Sequence, residues 1–265
     1  MLGAIIGDVI GSPYEVGSDK TKDFSLFVPQ CHPTDDTICT IAVGCACVEA
    51  DRSNEQKFKA VLAQRLKEIG LQYPAAGYGP RFYQWMALDE QAPYGSKANG
   101  SAMRVSPVAW AEDSLDAVER LARWSAEVTH DHPEGVRGAQ AVAAAIYMAR
   151  TGASKAEIRS YIERKYYDLN FTLDEIRSAY SFDMSCENSV PQAILCFLEA
   201  EDFEDAIRNA ISLGGDGDTQ ACIAGAIAEP FFGIPERLQD AVFDFLDENL
   251  QELYLGYAEQ LYQNV

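Results

Sequence analysis

Apolar residues recur with a helical period along nearly the whole chain, and this leaves little room for any fold that is not built from helices. From Asn54 to Ile69 the pattern puts Phe58, Val61, Leu62, Leu66 and Ile69 on one face, and Gly70 is a natural stop. Ser114 to Val128 repeats it with Leu115, Val118, Leu121, Ala122 and Ser125. Pro133 suits the first position of a helix running through Ala149, with Gly152 ending it. Capping boxes stand at Ser154…Glu157 and Thr172…Glu175. Asp202 to Leu213 and Pro235 to the C-terminus read as further helices. Strand-like alternation is scarce, and Ser25 to Val28 is its best instance. No internal repeat or low-complexity linker divides the 265 residues. The expectation is one all-α domain over residues 1–265, with about ten or more helices in a globular rather than a long-bundle arrangement.

Charge narrows the partners. Lys+Arg 21 against Asp+Glu 41 gives a net charge of −20, a field that opposes phosphate backbones, so no nucleic-acid binding is expected. An anionic small ligand requires metals or backbone amides to reverse that field locally. Residues 1–10 lack a basic stretch and contain Asp8, so they make a poor signal peptide. The longest apolar run, Ile38 to Val48, is too short to span a membrane. The seven cysteines are odd in number and form no C-x-x-C pair, and several lie in apolar runs. They read as structural thiols of a protein in the reducing cytoplasm.

Four loops interrupt the helical plan: Gly7 to Glu15, Thr34-Asp35-Asp36-Thr37, Asn99 to Arg104, and Gly214-Gly215-Asp216-Gly217-Asp218-Thr219. Thr34 to Thr37 opens an apolar run, so Thr34 is a good N-cap and the carboxylates complement the helix dipole. Taken alone, that helix-start chemistry explains it, and acidic pairs recur elsewhere, as at Glu201-Asp202 and Asp247-Glu248. In the loop from Gly214 to Thr219, two aspartates two residues apart among glycines can converge on one point, and oxygen-only donors suit hard cations. A calcium EF-hand does not fit, because Ile227 stands where the twelfth-position acid belongs. A tight turn capped by Asp218 or Thr219 is the competing explanation. Two such helix starts meeting in a core would gather four Asp carboxylates. Unpaired, these would be strongly destabilising, and two divalent cations would neutralise them.

Asn99-Gly100-Ser101 reads either as a phosphate-binding helix start or as a plain Asn-Gly turn with a Ser cap. His130 and His132 have a spacing that could ligate zinc, but no further Cys or His lies at structural-zinc spacing. Hydrogen bonding or stacking on a ligand is favoured over ligation. No G-x-S-x-G elbow is present, which disfavours a serine hydrolase.

Together these motifs resemble the ADP-ribosylglycohydrolase family. The resemblance rests on Gly7-Asp8…Gly11…Glu15, Thr34-Asp35-Asp36-Thr37, Asn99-Gly100-Ser101-Ala102-Met103-Arg104, Thr129-His130 and Gly215-Asp216-Gly217-Asp218-Thr219, in the family's order. It implies a compact all-α fold with two Mg²⁺ ions, or Mn²⁺, held by Thr34, Asp35, Asp36, Asp216, Asp218 and Thr219. It implies substrate contacts from Tyr94, Asn99, Gly100, Ser101, Met103 and His130, with Asn99 to Ser101 at the diphosphate. It implies Glu15 and Asp35 as catalytic carboxylates, Glu15 on a mobile flap as in the branch resembling serine-linked and O-acetyl-ADP-ribose hydrolases. The implied partner is ADP-ribose or an ADP-ribosylated protein or small molecule. The implied reaction is hydrolysis at C1″ by a water that a metal or a carboxylate orients, through an oxocarbenium-like transition state. A non-catalytic ADP-ribose or nucleotide binder, or a hydrolase of another nucleotide conjugate, are the alternatives. Two positions depart from the family pattern: Ala98 and Gly217 stand where Gly and Thr are usual.

Overall fold

The computed structural model describes residues 1–15, 20–89 and 92–263. These form fifteen α-helices: α1 (Leu2–Gly11), α2 (Asp35–Glu49), α3 (Glu55–Gly70), α4 (Pro80–Ala87), α5 (Gly100–Met103), α6 (Val108–Ala111), α7 (Leu115–Glu127), α8 (Pro133–Arg150), α9 (Lys155–Lys165), α10 (Leu173–Arg177), α11 (Cys186–Glu199), α12 (Phe203–Ser212), α13 (Gly217–Phe232), α14 (Glu236–Phe243) and α15 (Glu248–Tyr262). The all-α expectation is borne out, and no strand occurs among the described residues; Ala98 and Ser185 make an isolated bridge. Local chemistry sets many of the starts. Asn54 accepts from Lys57 N at 3.1 Å, and both capping boxes, at Ser154/Glu157 and Thr172/Glu175, close.

Two expectations are corrected. Ser25 to Val28 is irregular, because no neighbouring strand satisfies its backbone. The flanking aromatic rings dock on other elements instead: Phe24 lies 5.1 Å from the Tyr14 ring and Phe27 stacks on Phe245 at 5.3 Å. The stretch from Pro235 onward is two helices rather than one. Asp247 restarts the chain by accepting from Leu250 N at 2.8 Å.

The buried centre is the pair α1 and α13, and it overturns the reading of Gly7 to Glu15 as a loop. Every residue of α1 is buried, and the helix continues to Gly11 before a 3₁₀ turn over Ser12–Tyr14. Gly3, Gly7 and Gly11 recur every fourth residue and so share one face. A Cβ at each would come within 3.0 Å of α13 backbone, at Gly225, Ala221 and Asp218 respectively. The glycines thus let two helices touch backbone to backbone, which draws Asp8 and the start of α13 together. The starts of α2 and α5 pack against α13 as well. The seven cysteines are buried free thiols, and no helix among the described residues is long and apolar enough to cross a membrane.

Candidate metal centre and ligand cleft

Asp8 organises the first turn of α2. Its Oδ1 accepts the Thr34 hydroxyl at 2.6 Å. Its Oδ2 accepts the backbone N–H groups of Thr34 at 2.9 Å and Thr37 at 3.0 Å, together with the Thr37 hydroxyl. Thr34 is the N-cap, accepting from Asp36 N at 3.3 Å. A fully buried carboxylate from one helix therefore fixes the direction in which Asp35 and Asp36 leave another. Burial pushes the Asp8 carboxyl above its usual range, opposed by these donated hydrogen bonds. Asp8 was not among the site residues expected from sequence. Its signal was an acid inside an otherwise apolar run, since Asp is almost never fully buried without partners.

Opposite, Gly214 takes a φ of 68° after α12 and turns the chain into α13. Asp216 Oδ2 accepts from the Asn99 side-chain amide at 2.7 Å, and Thr219 donates its hydroxyl to Asp36 Oδ2 at 3.1 Å. Carboxylate oxygens of Asp8, Asp36 and Asp218 lie within 4.8 Å of one another. Burial first, then the neighbouring carboxylates, raises Asp36 and Asp218 well above the ordinary range, and takes Asp35 to about 8. Asp36 Oδ1 is buried without a hydrogen-bond partner among the described residues. An orphaned carboxylate oxygen beside like charges, in an oxygen-only donor set, fits a hard divalent cation. Asp35, Asp36, Asp216, Asp218 and Thr219 all face one cleft. Thr34 does not line it; its hydroxyl proton goes to Asp8.

Glu15 follows the 3₁₀ turn and stands exposed at the edge of the same cleft, where its charge is felt by Asp35, Asp216 and Asp218. Val16 and Gly17, part of the segment expected to be a mobile loop, lie outside the described residues. Gly217 has a steric reason to lack a side chain. A Cβ there would lie 2.7 Å from the Tyr14 carbonyl oxygen, so the segment carrying Glu15 rests directly on the acidic loop.

The cleft has an interior of about 230 Å³ and opens to solvent at its mouth. Tyr94, Asn99, Gly100, Met103 and His130 line it. Ser101 lies behind the residues that line the cleft, and its hydroxyl donates to the Gly135 carbonyl at 2.7 Å. Asn99 gives its amide to Asp216 and, at 3.2 Å, to Ser189, so it ties α5 to the acidic loop instead of capping its own helix. α5 is a single turn, so its dipole is weak and only its first N–H groups are on offer. The two histidines separate: His130 faces the cleft, while exposed His132 caps α8 by accepting from Glu134 N at 3.1 Å.

Sequence reasoning missed two cations. Arg81 sits over the Tyr94 ring, 4.7 Å from its centroid, and donates to the Tyr94 carbonyl. Arg104 is buried at the cleft wall. In a chain of net charge −20, these two place positive charge beside the cleft at the end bearing His130. Phe182 and Met184 form an exposed apolar lip.

Clustered aspartates at helix starts that share one cleft with a histidine are what the motif order led one to expect. The ADP-ribosylglycohydrolase family model matches residues 1–265, and the chain belongs to that family. It is 27% identical to the ADP-ribosylhydrolase ARH3 of Homo sapiens, over 98% of this chain and 89% of that one. It is 29% identical to the ADP-ribosylarginine hydrolase Tri1 of Pseudomonas putida, over 59% of this chain and 45% of that one. A solved structure described as an ADP-ribosylglycohydrolase-related protein complex superposes with a TM-score of 0.70 at 21% identity, covering 99% of this chain and 95% of its own.

Proposed function

We propose that this protein, as one domain over residues 1–265, is a metal-dependent hydrolase that cleaves the bond at C1″ of ADP-ribose conjugates. The observation that carries this reading is the set of four aspartates at the starts of two helices, facing one cleft that Glu15 overhangs. Two Mg²⁺ ions, or Mn²⁺, held by Asp35, Asp36, Asp216, Asp218 and Thr219 with Thr34 behind them, would neutralise the carboxylates and bind ribose oxygens.

The chain's own residues do the rest. Glu15 orients a water toward the anomeric carbon and takes its proton as the bond to the leaving group breaks. The oxocarbenium-like centre that develops is stabilised by the carboxylate oxygens that face it across the cleft, those of Asp35 among them. Asn99 keeps Asp216 pointed at the reacting end. The Gly100 turn, His130 and the Arg81–Tyr94 pair hold the anionic end of the ligand, which the protein's net charge would otherwise repel. Serine-linked, arginine-linked and O-acetyl-ADP-ribose conjugates share this reacting group, and the relatives' names support that substrate class. Seven buried free cysteines support a reducing compartment such as the cytoplasm.

Free ADP-ribose, the product on this reading, is expected to bind the Mg²⁺-loaded protein and to bind at least tenfold more weakly after EDTA treatment, as measured by calorimetry. Equal affinity in both conditions would remove the aspartates from the binding site.

A further inference from the structure

We infer that Arg104 and Thr129 form a hydrogen-bond relay that holds His130 as the neutral Nε2–H tautomer and presents that N–H to the cleft. Arg104 is 1% exposed, and among the described residues no carboxylate pairs with it. Its Nη2 donates to the Thr129 hydroxyl oxygen at 2.8 Å and to the Ser125 carbonyl at 3.2 Å. Thr129 is itself fully buried, and its Oγ1 lies 2.7 Å from His130 Nδ1.

The proton positions follow from donor and acceptor capacity. A guanidinium has no lone pair to offer, so the Thr129 oxygen accepts from Arg104. The hydroxyl proton then needs an acceptor, and the one within hydrogen-bond distance among the described residues is His130 Nδ1. With Nδ1 accepting, the ring's proton sits on Nε2. The opposite tautomer would leave a buried hydroxyl proton without a partner, which is costly.

The ring's surroundings keep it uncharged. Burial, then the cations Arg104 and Arg81, push its pKa well below the ordinary histidine value. Tyr94 packs beside it, ring centroids 6.0 Å apart, and Asp131 is turned away to accept from Gly95 N at 2.7 Å. His130 Nε2 would lie 3.1 Å from a Cβ built on Gly100, so the N–H is at the Gly100 turn on the cleft wall. A ligand oxygen there meets a fixed donor that need not reorient or change charge on binding. That this oxygen belongs to a diphosphate rests on the proposed function; the tautomer does not. Arg104 and Thr129 are accordingly positioning residues, acting on the ligand through His130.

The test uses protein labelled with ¹⁵N at its three histidines, with His130→Gln assigning the signal of interest. In the ligand-free wild type, His130 is expected to show a protonated Nε2 and an unprotonated Nδ1. Thr129→Val, which keeps the shape and removes the hydroxyl, is expected to lose that fixed pattern and to bind ADP-ribose roughly tenfold more weakly. Thr129→Ser is expected to restore both. A wild-type His130 protonated on Nδ1, or an unchanged tautomer in Thr129→Val, overturns the relay. If the wild type shows the expected tautomer and Thr129→Val loses it, the relay stands even where ADP-ribose binds neither protein, and it is then the proposed ligand that fails.

Discussion

Adding Mg²⁺ to the metal-free protein is expected to raise its melting temperature, and by more near pH 8 than near pH 5. In the metal-free fold the Asp35 carboxyl holds its proton to about pH 8, because burial and the neighbouring carboxylates disfavour its charge. In the unfolded chain an Asp releases its proton near ~3.9. The folded state therefore binds more protons than the unfolded state between those limits, and stability falls as pH rises through that window. Asp36 and Asp218, also raised, act in the same direction. A cation binds the ionised carboxylates and releases their protons, so its affinity grows as pH rises. At a free metal concentration 100 times the dissociation constant, linkage contributes about 2.7 kcal/mol. Asp218→Asn takes one charge out of the cluster. Near pH 8 the metal-free variant is expected to be at least as stable as the metal-free wild type, and to have lost the response to Mg²⁺. Asp216→Asn is expected to lose that response too. A full Mg²⁺ shift in both variants would exclude these aspartates as ligands.

Glu15→Gln is the second large effect expected. Glu15 is exposed at the edge of the cleft, so the substitution leaves the core packing untouched. Among the described residues it removes the exposed acid at that edge, which on the proposed mechanism takes a proton from water. General-base catalysis typically supplies 10²–10⁴-fold, and the loss in turnover should fall in that range. ADP-ribose affinity should change by only a few fold, because glutamine keeps the size and polarity of the side chain. Wild-type turnover in Glu15→Gln would move the base elsewhere in the cleft. A parallel loss of affinity and turnover would mean that Glu15 binds rather than reacts.

What could be read from the sequence was whatever is encoded over a few neighbouring residues. Helix starts were legible because a cap and the amide it receives lie three residues apart, as in Ser154 and Glu157. Asp35, Asp36, Asp216 and Asp218 were legible for the same reason, each pair being local and each standing at a helix start. Contacts between distant segments were not. Gly7 and Gly11 looked like loop residues, when their four-residue spacing serves helix packing on Ala221 and Asp218. Asp8 stood in a motif without a role until its partners Thr34 and Thr37 were beside it. Asn99 and Ser101 were read for their own turn, whereas their side chains bond to Asp216, Ser189 and Gly135. Arg81 belongs to no acidic or glycine-rich motif and Arg104 only ends one, and the fold alone brings them to Tyr94 and His130. The strand-like run at Ser25 to Val28 failed because alternation records which side chains are covered, not what covers them.

The central claim is that the cleft cleaves an ADP-ribose conjugate rather than only holding one. The direct measurement is release of free ADP-ribose from serine-linked, arginine-linked and O-acetyl conjugates, each followed with Mg²⁺, with Mn²⁺ and with EDTA. Metal-dependent release from at least one linkage is expected, abolished by EDTA and by Asp218→Asn. A wild type that binds ADP-ribose but releases it from none of the three, with either metal, would contradict the account and leave a binding module on the same fold.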